Sequence, residues 1–225
     1  MSCSYYYDVE QRSEEWYALR LGMVTGSMVK QLLTPTGRVA SNDDSRRTHL
    51  ALAAERATGR GEYSHQSRDM LRGILDEPYA RELYAEHYAP VTNCGFAIYE
   101  TVEGIRLGYS PDGLVGDGGL IEIKSRNQRV QIADTLAGAI PDDCMAQVQC
   151  GLLVTGRAWC DYISYAGGMP MWVHRVEPDP NWHASILAAA TAAEEAIAAL
   201  LLAYSEATRD MPVARYIDHF ADIEV

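Results

Sequence analysis

At 225 residues, with 48% hydrophobic and 22% charged side chains, the chain has the composition of a globular domain long enough to bury a core. Its net charge of −12 argues against a protein that coats nucleic acid by bulk attraction. Five cysteines without a C-x-x-C pair point to neither a disulfide framework nor a zinc knuckle. No apolar run is expected to be long enough to span a bilayer, and Met1 to Val9 lacks the basic start and apolar stretch of a signal peptide, so the expected compartment is the cytoplasm. The charge is uneven: Met1 to Val130 holds 15 basic and 18 acidic residues, whereas Gln131 to Val225 holds 4 and 13. An acidic exterior around a locally basic channel fits both facts. The simplest organisation is one domain over residues 1–225.

In chain order, Ser13-Glu14-Glu15-Trp16 opens a helix that runs to about Arg20 and stops at Leu21-Gly22. A second helix is predicted from Thr25–Ser27 to Pro35, followed by a polar loop to Asp44. Asp44 to Thr58 is the third helix, with Gly59 as its stop. Ser67 to Tyr88 has a helical pattern, but Pro78 lies inside it, so a kink or break near Glu77 is expected. Phe96–Val102, Ile105–Tyr109 and Leu120–Lys124 read as three consecutive strands in an antiparallel meander. A loop with Arg126 and Arg129 precedes a helix from Asp143 to Val154, capped by Asp142. Ala158–Tyr165 and Met171–Glu177 read as a hairpin, and Trp182–Thr208 as a long Ala-rich helix capped by Asn181. The whole is a mixed α/β layer fold.

The stretch that carries chemistry is Gly108 to Ser125, G-Y-S-P-D-G-L-V-G-D-G-G-L-I-E-I-K-S. Leu120 to Lys124 is a short strand, so Glu122 and Lys124 share one face while Ile121 and Ile123 point into a core. With Asp112 at the neighbouring turn, two carboxylates suit a hard cation such as Mg²⁺, and a lysine beside them can hold or polarise a water. An Asp in a Pro-Asp-Gly turn is also a common turn former, and Glu-x-Lys a common solvated ion pair. The chain has two lysines, Lys30 and Lys124, against seventeen arginines. Where arginine is the default cation, a compact ammonium at this position has a chemical reason.

Three further stretches stand in fixed order around this core: W-Y-A-L-R-L-G with T-G-S from Trp16 to Ser27, then Arg72-Gly73 with Glu77 and Ala80-Arg81, then M-A-Q-V-Q from Met145 to Gln149. Together with S-P-D-G and I-E-I-K they resemble the phage lambda exonuclease family, the YqaJ-type viral recombinases of the PD-(D/E)xK nuclease superfamily. The likeness spans about Glu14 to Tyr165.

That resemblance implies a restriction-endonuclease-like core, a central mixed β-sheet flanked by helices. It implies that Asp112, Glu122 and the main-chain carbonyl of Ile123 hold two Mg²⁺ ions, with Mn²⁺ a possible substitute. Lys124 would orient or activate the attacking water, Gln147 would help to hold it, and Glu77 would stand near the metals. Arg20, Ser27 and Ser110 would grip a 5′-phosphate, and Met70 would be the apolar wedge that separates strands. The implied activity is a 5′-to-3′ double-stranded DNA exonuclease that releases mononucleotides and leaves 3′ overhangs. Its implied setting is the bacterial host cytoplasm, as a homotrimeric ring acting on double-stranded DNA ends beside a phage single-strand annealing protein.

Blander roles stay open at each residue. Arg20 suits a helix C-terminus, Ser27 a helix N-cap, Glu77 a surface acid, Gln147 a core amide bonded to backbone, and Met70 the core. A restriction-type or structure-specific endonuclease with the same core, and a non-catalytic nucleic-acid-binding module, are the alternative functions.

Overall fold

The computed structural model describes residues 2–61 and 67–217. Two sheets share the strands. The first has the order β1 (Ser2–Tyr6), β4 (Phe96–Glu100), β5 (Arg106–Tyr109), β2 (Val24–Thr25); the second runs β3 (Val91–Thr92), β6 (Gly113–Val115), β7 (Gly119–Ser125), β8 (Trp159–Tyr165), β9 (Trp172–Val176). The predicted meander is therefore split. β4 and β5 pair antiparallel in the first sheet, but β7 pairs antiparallel with β6 and parallel with β8 in the second. The chain changes sheet between Tyr109 and Gly113, and the turn that carries Asp112 is that crossing.

Helices cover both sheets. α1 (Glu14–Arg20) is capped by Ser13, whose side chain accepts from the Trp16 N–H. The helix predicted from Thr25 is shorter than expected: Val24–Thr25 is a strand, Gly26–Met28 a single 3₁₀ turn, and only Val29–Leu32 (α2) is α-helical. Thr25 is drawn into parallel pairing with Gly108, which outweighs local helix preference. α3 (Asp43–Thr58) begins with a capping box between Asn42 and Ser45 and ends at Gly59 in the left-handed conformation. The arginines at its start, Arg46 and Arg47, pair with Asp43 and Asp44 one turn back.

α4 (Arg68–His87) is continuous through Pro78, contrary to the expected break. Its anchors lie beyond the proline: Ala80 and Tyr84 are buried, and the Tyr84 hydroxyl donates to Asp161 at 2.7 Å. That packing holds the helix despite the missing N–H. The stretch read as a loop around Arg129 is a helix, α5 (Gln128–Ala137), capped by Asn127 and stopped by Gly138. α6 (Asp142–Thr155) has Pro141, not Asp142, at its cap position.

The last helix, α7 (Pro180–Ala207), is capped by Asp179, which accepts from Asn181 N–H, so Asn181 is inside the helix. By length and composition alone it passes as a bilayer span, contrary to the expectation that no run is long enough. Its face through Ile186, Ala189, Ala190, Ala193 and Ile197 is buried in the main core against α2, α3 and α6. Alanines make up three of the five buried positions on that face. All five cysteines are free, four of them buried among apolar side chains.

Candidate active site

β7 is the floor of the site. Its alternation puts Ile121 and Ile123 into a core with Ala80 and Ile163, while Glu122 and Lys124 share the opposite face as predicted. Lys124 Nζ lies 2.8 Å from Glu122 Oε1. The same ammonium donates to Gln147 Oε1 at 2.8 Å, from the middle of α6. Asp112 closes the group from the crossing turn, its Oδ2 accepting the Ile123 N–H at 2.6 Å. Four residues separated by up to 35 positions are thus tied into one cluster through Glu122-Ile123-Lys124.

The electrostatics are those of an acidic, half-enclosed pocket. Glu122 is 1% exposed, and Asp112 is half-buried beside it. Burial, reinforced by the charges of Glu122 and Glu77, pushes the Asp112 carboxyl well above the ordinary carboxylate range. Burial acts to lower the Lys124 ammonium, but the charges of Glu122 and Asp112 outweigh it and hold its pKa above the ordinary value. Lys124 is therefore a protonated donor.

This donor set fits a hard divalent cation. Carboxylates crowded enough to push Asp112 towards its neutral form are what such a cation relieves, and all the available donors are oxygens. Among the described residues no group of three or more His, Cys, Asp and Glu side chains forms a metal-ligating cluster. A cation at Asp112 and Glu122 would complete its shell with main-chain carbonyl, water and substrate oxygens.

Glu77 sits where its charge reaches Asp112, but its carboxylate is taken by arginines. One oxygen accepts from Arg12 at 3.0 Å and the other from Arg81. Arg81 also donates to the Asp112 carbonyl at 2.7 Å, which fixes α4 to the crossing turn. Glu77 is thus a half-buried, paired acid and not a free surface one.

A second cluster adjoins the first. The Ser110 hydroxyl receives Trp16 Nε1 at 2.9 Å and Arg20 at 3.3 Å. Arg20 extends to Thr25 Oγ1 at 3.5 Å, and Thr25 Oγ1 lies 3.3 Å from Ser27 Oγ. The Arg20 guanidinium is 4.0 Å from the centre of the Trp16 ring, and its burial lowers its pKa from the usual value. A half-buried cation surrounded by hydroxyls, with no carboxylate among its hydrogen-bond partners, is suited to an anion. Arg20 and Ser27 therefore do not serve as helix caps: Arg20 points to Ser110, and α2 begins after Met28 with no side-chain cap.

M-A-Q-V-Q divides its work between two amides. Gln147 faces the site, whereas Gln149 is the buried amide, donating to the Glu177 carbonyl at 2.9 Å and accepting from the Asp179 N–H at 2.9 Å. Met70, on the first turn of α4, is 52% exposed, which removes the core alternative. Tyr109 was not singled out from the sequence; its buried hydroxyl donates to Glu122 Oε2. A lone tyrosine before S-P-D-G carries no signal of its own.

The fold has solved relatives. The chain aligns with the crystal structure of an alkaline exonuclease from Laribacter hongkongensis with a TM-score of 0.78 and 33% identity, covering 89% of this chain and 100% of that one. The complex of that exonuclease with dAMP aligns at 0.77 and 31% identity, with 89% and 100% covered. A phage-related exonuclease from Haemophilus somnus 129PT shares the fold at 0.59 and 12% identity, with 81% and 96% covered. No curated protein matches the chain. The restriction-endonuclease-like α/β architecture expected from the sequence is the one observed, with its strands in two sheets. The family model of the YqaJ-like viral recombinase domain matches residues 15–158, which hold both clusters, and the chain belongs to that family.

Proposed function

We infer that the chain is a metal-dependent DNA exonuclease that digests the 5′-ended strand of a duplex from a 5′-phosphorylated end, releasing mononucleotides and leaving a 3′ overhang. The observation that carries this reading is the S-P-D-G turn. Ser110 belongs to the anion-suited cluster of Arg20, Thr25 and Ser27, and Asp112, two residues on, belongs to the carboxylate cluster. A terminal phosphate held at the first would present a nearby phosphodiester to the second, with no base contact needed. The family membership and the exonuclease relatives support the class of reaction, and the relative solved with dAMP supports a mononucleotide product.

Asp112, Glu122 and the Ile123 carbonyl would hold two Mg²⁺ ions, or Mn²⁺ in their place, which when bound lower the pKa of water and neutralise charge on the leaving 3′ oxygen. Lys124 supplies an ammonium with three protons. Glu122 and Gln147 take two of them, and the third is free to hold the attacking water. Protonated in the metal-free site, Lys124 is placed as a donor that orients water and offsets negative charge at the phosphorus. Arg20, Ser27 and Ser110 hold the terminal phosphate, and after each cleavage the newly exposed 5′-phosphate can re-enter that pocket. Glu77 tunes the charge around Asp112, and the exposed Met70 stands ready to part the strands.

The working assembly in this reading is a homotrimeric ring of single-domain subunits around the duplex, which places the acidic surface outside. It acts in the host cytoplasm and passes its 3′ overhang to a phage single-strand annealing protein. A linear 5′-phosphorylated duplex with and without Mg²⁺, beside a covalently closed circle, tests the activity. Mononucleotides are expected from the linear substrate with metal and none from the circle. A cut circle would make the enzyme an endonuclease. Light scattering at micromolar concentration tests the ring, which a monomer would exclude.

A further inference from the structure

Tyr109 ends β5 in one sheet, yet its hydroxyl serves Glu122 on β7 of the other. It donates to Oε2, while Lys124 is bound to Oε1. The ring is 1% exposed and is located by two positions that have no side chain. A Cβ on Gly26 would come within 2.7 Å of the ring's Cδ2, and one on Gly151 within 2.5 Å of Cζ and 2.8 Å of the hydroxyl oxygen. Gly26 opens the turn that carries Ser27, Gly151 follows Gln147 by one turn of α6, and Ser110 is the next residue after Tyr109. The ring is therefore wedged between the carriers of the phosphate-gripping and water-holding groups.

A glutamate held at one oxygen can still swing about its remaining torsions. A second donor on the other oxygen fixes the plane of the carboxylate. We propose that Tyr109 is a positioning residue: by hydrogen bonding Glu122 Oε2 it sets the direction in which that carboxylate presents itself to the metal. The proposal rests on the function inferred above, in which Glu122 is a metal ligand. A purely structural tyrosine would use Glu122 only to satisfy its own buried hydroxyl. The two roles differ in what the loss of that hydroxyl changes.

Tyr109→Phe removes the oxygen and keeps the ring, and Gly151→Ala moves the hydroxyl by crowding it. Calorimetric titration of Mn²⁺ alone into the metal-free full chain is the primary measurement. Both variants are expected to bind Mn²⁺ about 10-fold or more weakly, as is usual when a partner of a metal ligand is lost. On 5′-phosphorylated duplex, kcat should fall by about 10-fold while KM for DNA stays within about twofold. Thermal melting without metal reports any change in the fold. Tyr109→Phe that binds Mn²⁺ as tightly as the wild type overturns the proposal, whatever its melting temperature. A wild type that binds Mn²⁺ but cuts no DNA overturns the exonuclease reading instead, and the titration then decides Tyr109 by itself.

Discussion

Lys124 Nζ stands 2.8 Å from both Glu122 Oε1 and Gln147 Oε1. A flexible four-carbon stem is thereby fixed at its charged end by one bond from its own strand and one from α6. If the remaining proton holds the attacking water, loss of the ammonium and loss of one tether should differ in severity. Lys124→Ala is expected to lower kcat by about 10²–10⁴-fold, the range for a positioned proton donor or acceptor. Gln147→Ala leaves the ammonium in place but freer, and should cost about 10–100-fold. Single-turnover cleavage of a 5′-phosphorylated duplex measures both. Near wild-type hydrolysis by Lys124→Ala would remove the catalytic assignment.

Arg20 and the terminal phosphate are predicted to act as a unit. Each charge-assisted bond contributes about 1.5–3 kcal/mol, so removing the 5′-phosphate from the DNA should slow initiation by about 10–100-fold. Arg20→Ala should slow phosphorylated ends by a similar factor and add little on dephosphorylated ends, because the partner is already gone. Arg20→Lys should not restore the rate, since a point charge replaces a planar fork stacked on Trp16. Equal losses on both kinds of end would place Arg20 outside the phosphate pocket.

Asp112 is predicted to weaken the metal-free protein at neutral pH. Its pKa is raised on folding by burial and by Glu122 and Glu77, so the folded state binds its proton more readily than the unfolded chain. The sign follows from linkage: this group favours folding while protonated, and the contribution is lost as pH rises through the ordinary carboxylate range towards the raised value. Asp112→Asn, neutral at every pH, should raise the metal-free melting temperature at pH 7 while abolishing cleavage. Mg²⁺ should stabilise the wild type, by about 2.7 kcal/mol at 100 times its Kd, and leave the variant's melting temperature unchanged. Lower stability of Asp112→Asn without metal would refute this.

What was legible in the sequence was local. Period two put Glu122 and Lys124 on one face, and Ser13 and Gly59 marked helix ends by their capping chemistry. What was not legible was pairing at a distance. β7 joins β8 in parallel across the whole of α5 and α6, and no turn between them announces it. β6 has three residues, too few for alternation to show, and β1 presents S-C-S-Y-Y with little burial contrast. α5 could have been found, since Asn127 and Gly138 are ordinary cap residues, but its mixed polarity hid the helical period. At the site, Gln147 was reached through its motif. Arg81 and Tyr109 gain their roles only from contacts with Asp112 and Glu122 that folding creates.

Pro78 offers the last prediction, because α4 carries it without breaking. The ring removes the N–H that would bond the Ile74 carbonyl, and a proline inside a helix costs about 3 kcal/mol. Pro78→Ala restores the donor at an exposed position. It should stabilise the fold by about 1–3 kcal/mol, seen as a higher midpoint in urea. Glu77 is aimed by Arg12 and Arg81, so its direction should survive the change. Cleavage is expected to stay within about twofold of wild type, the range of a surface substitution. A stabilised variant that had lost activity would mean that the proline sets the position of Glu77, and with it the charge felt by Asp112.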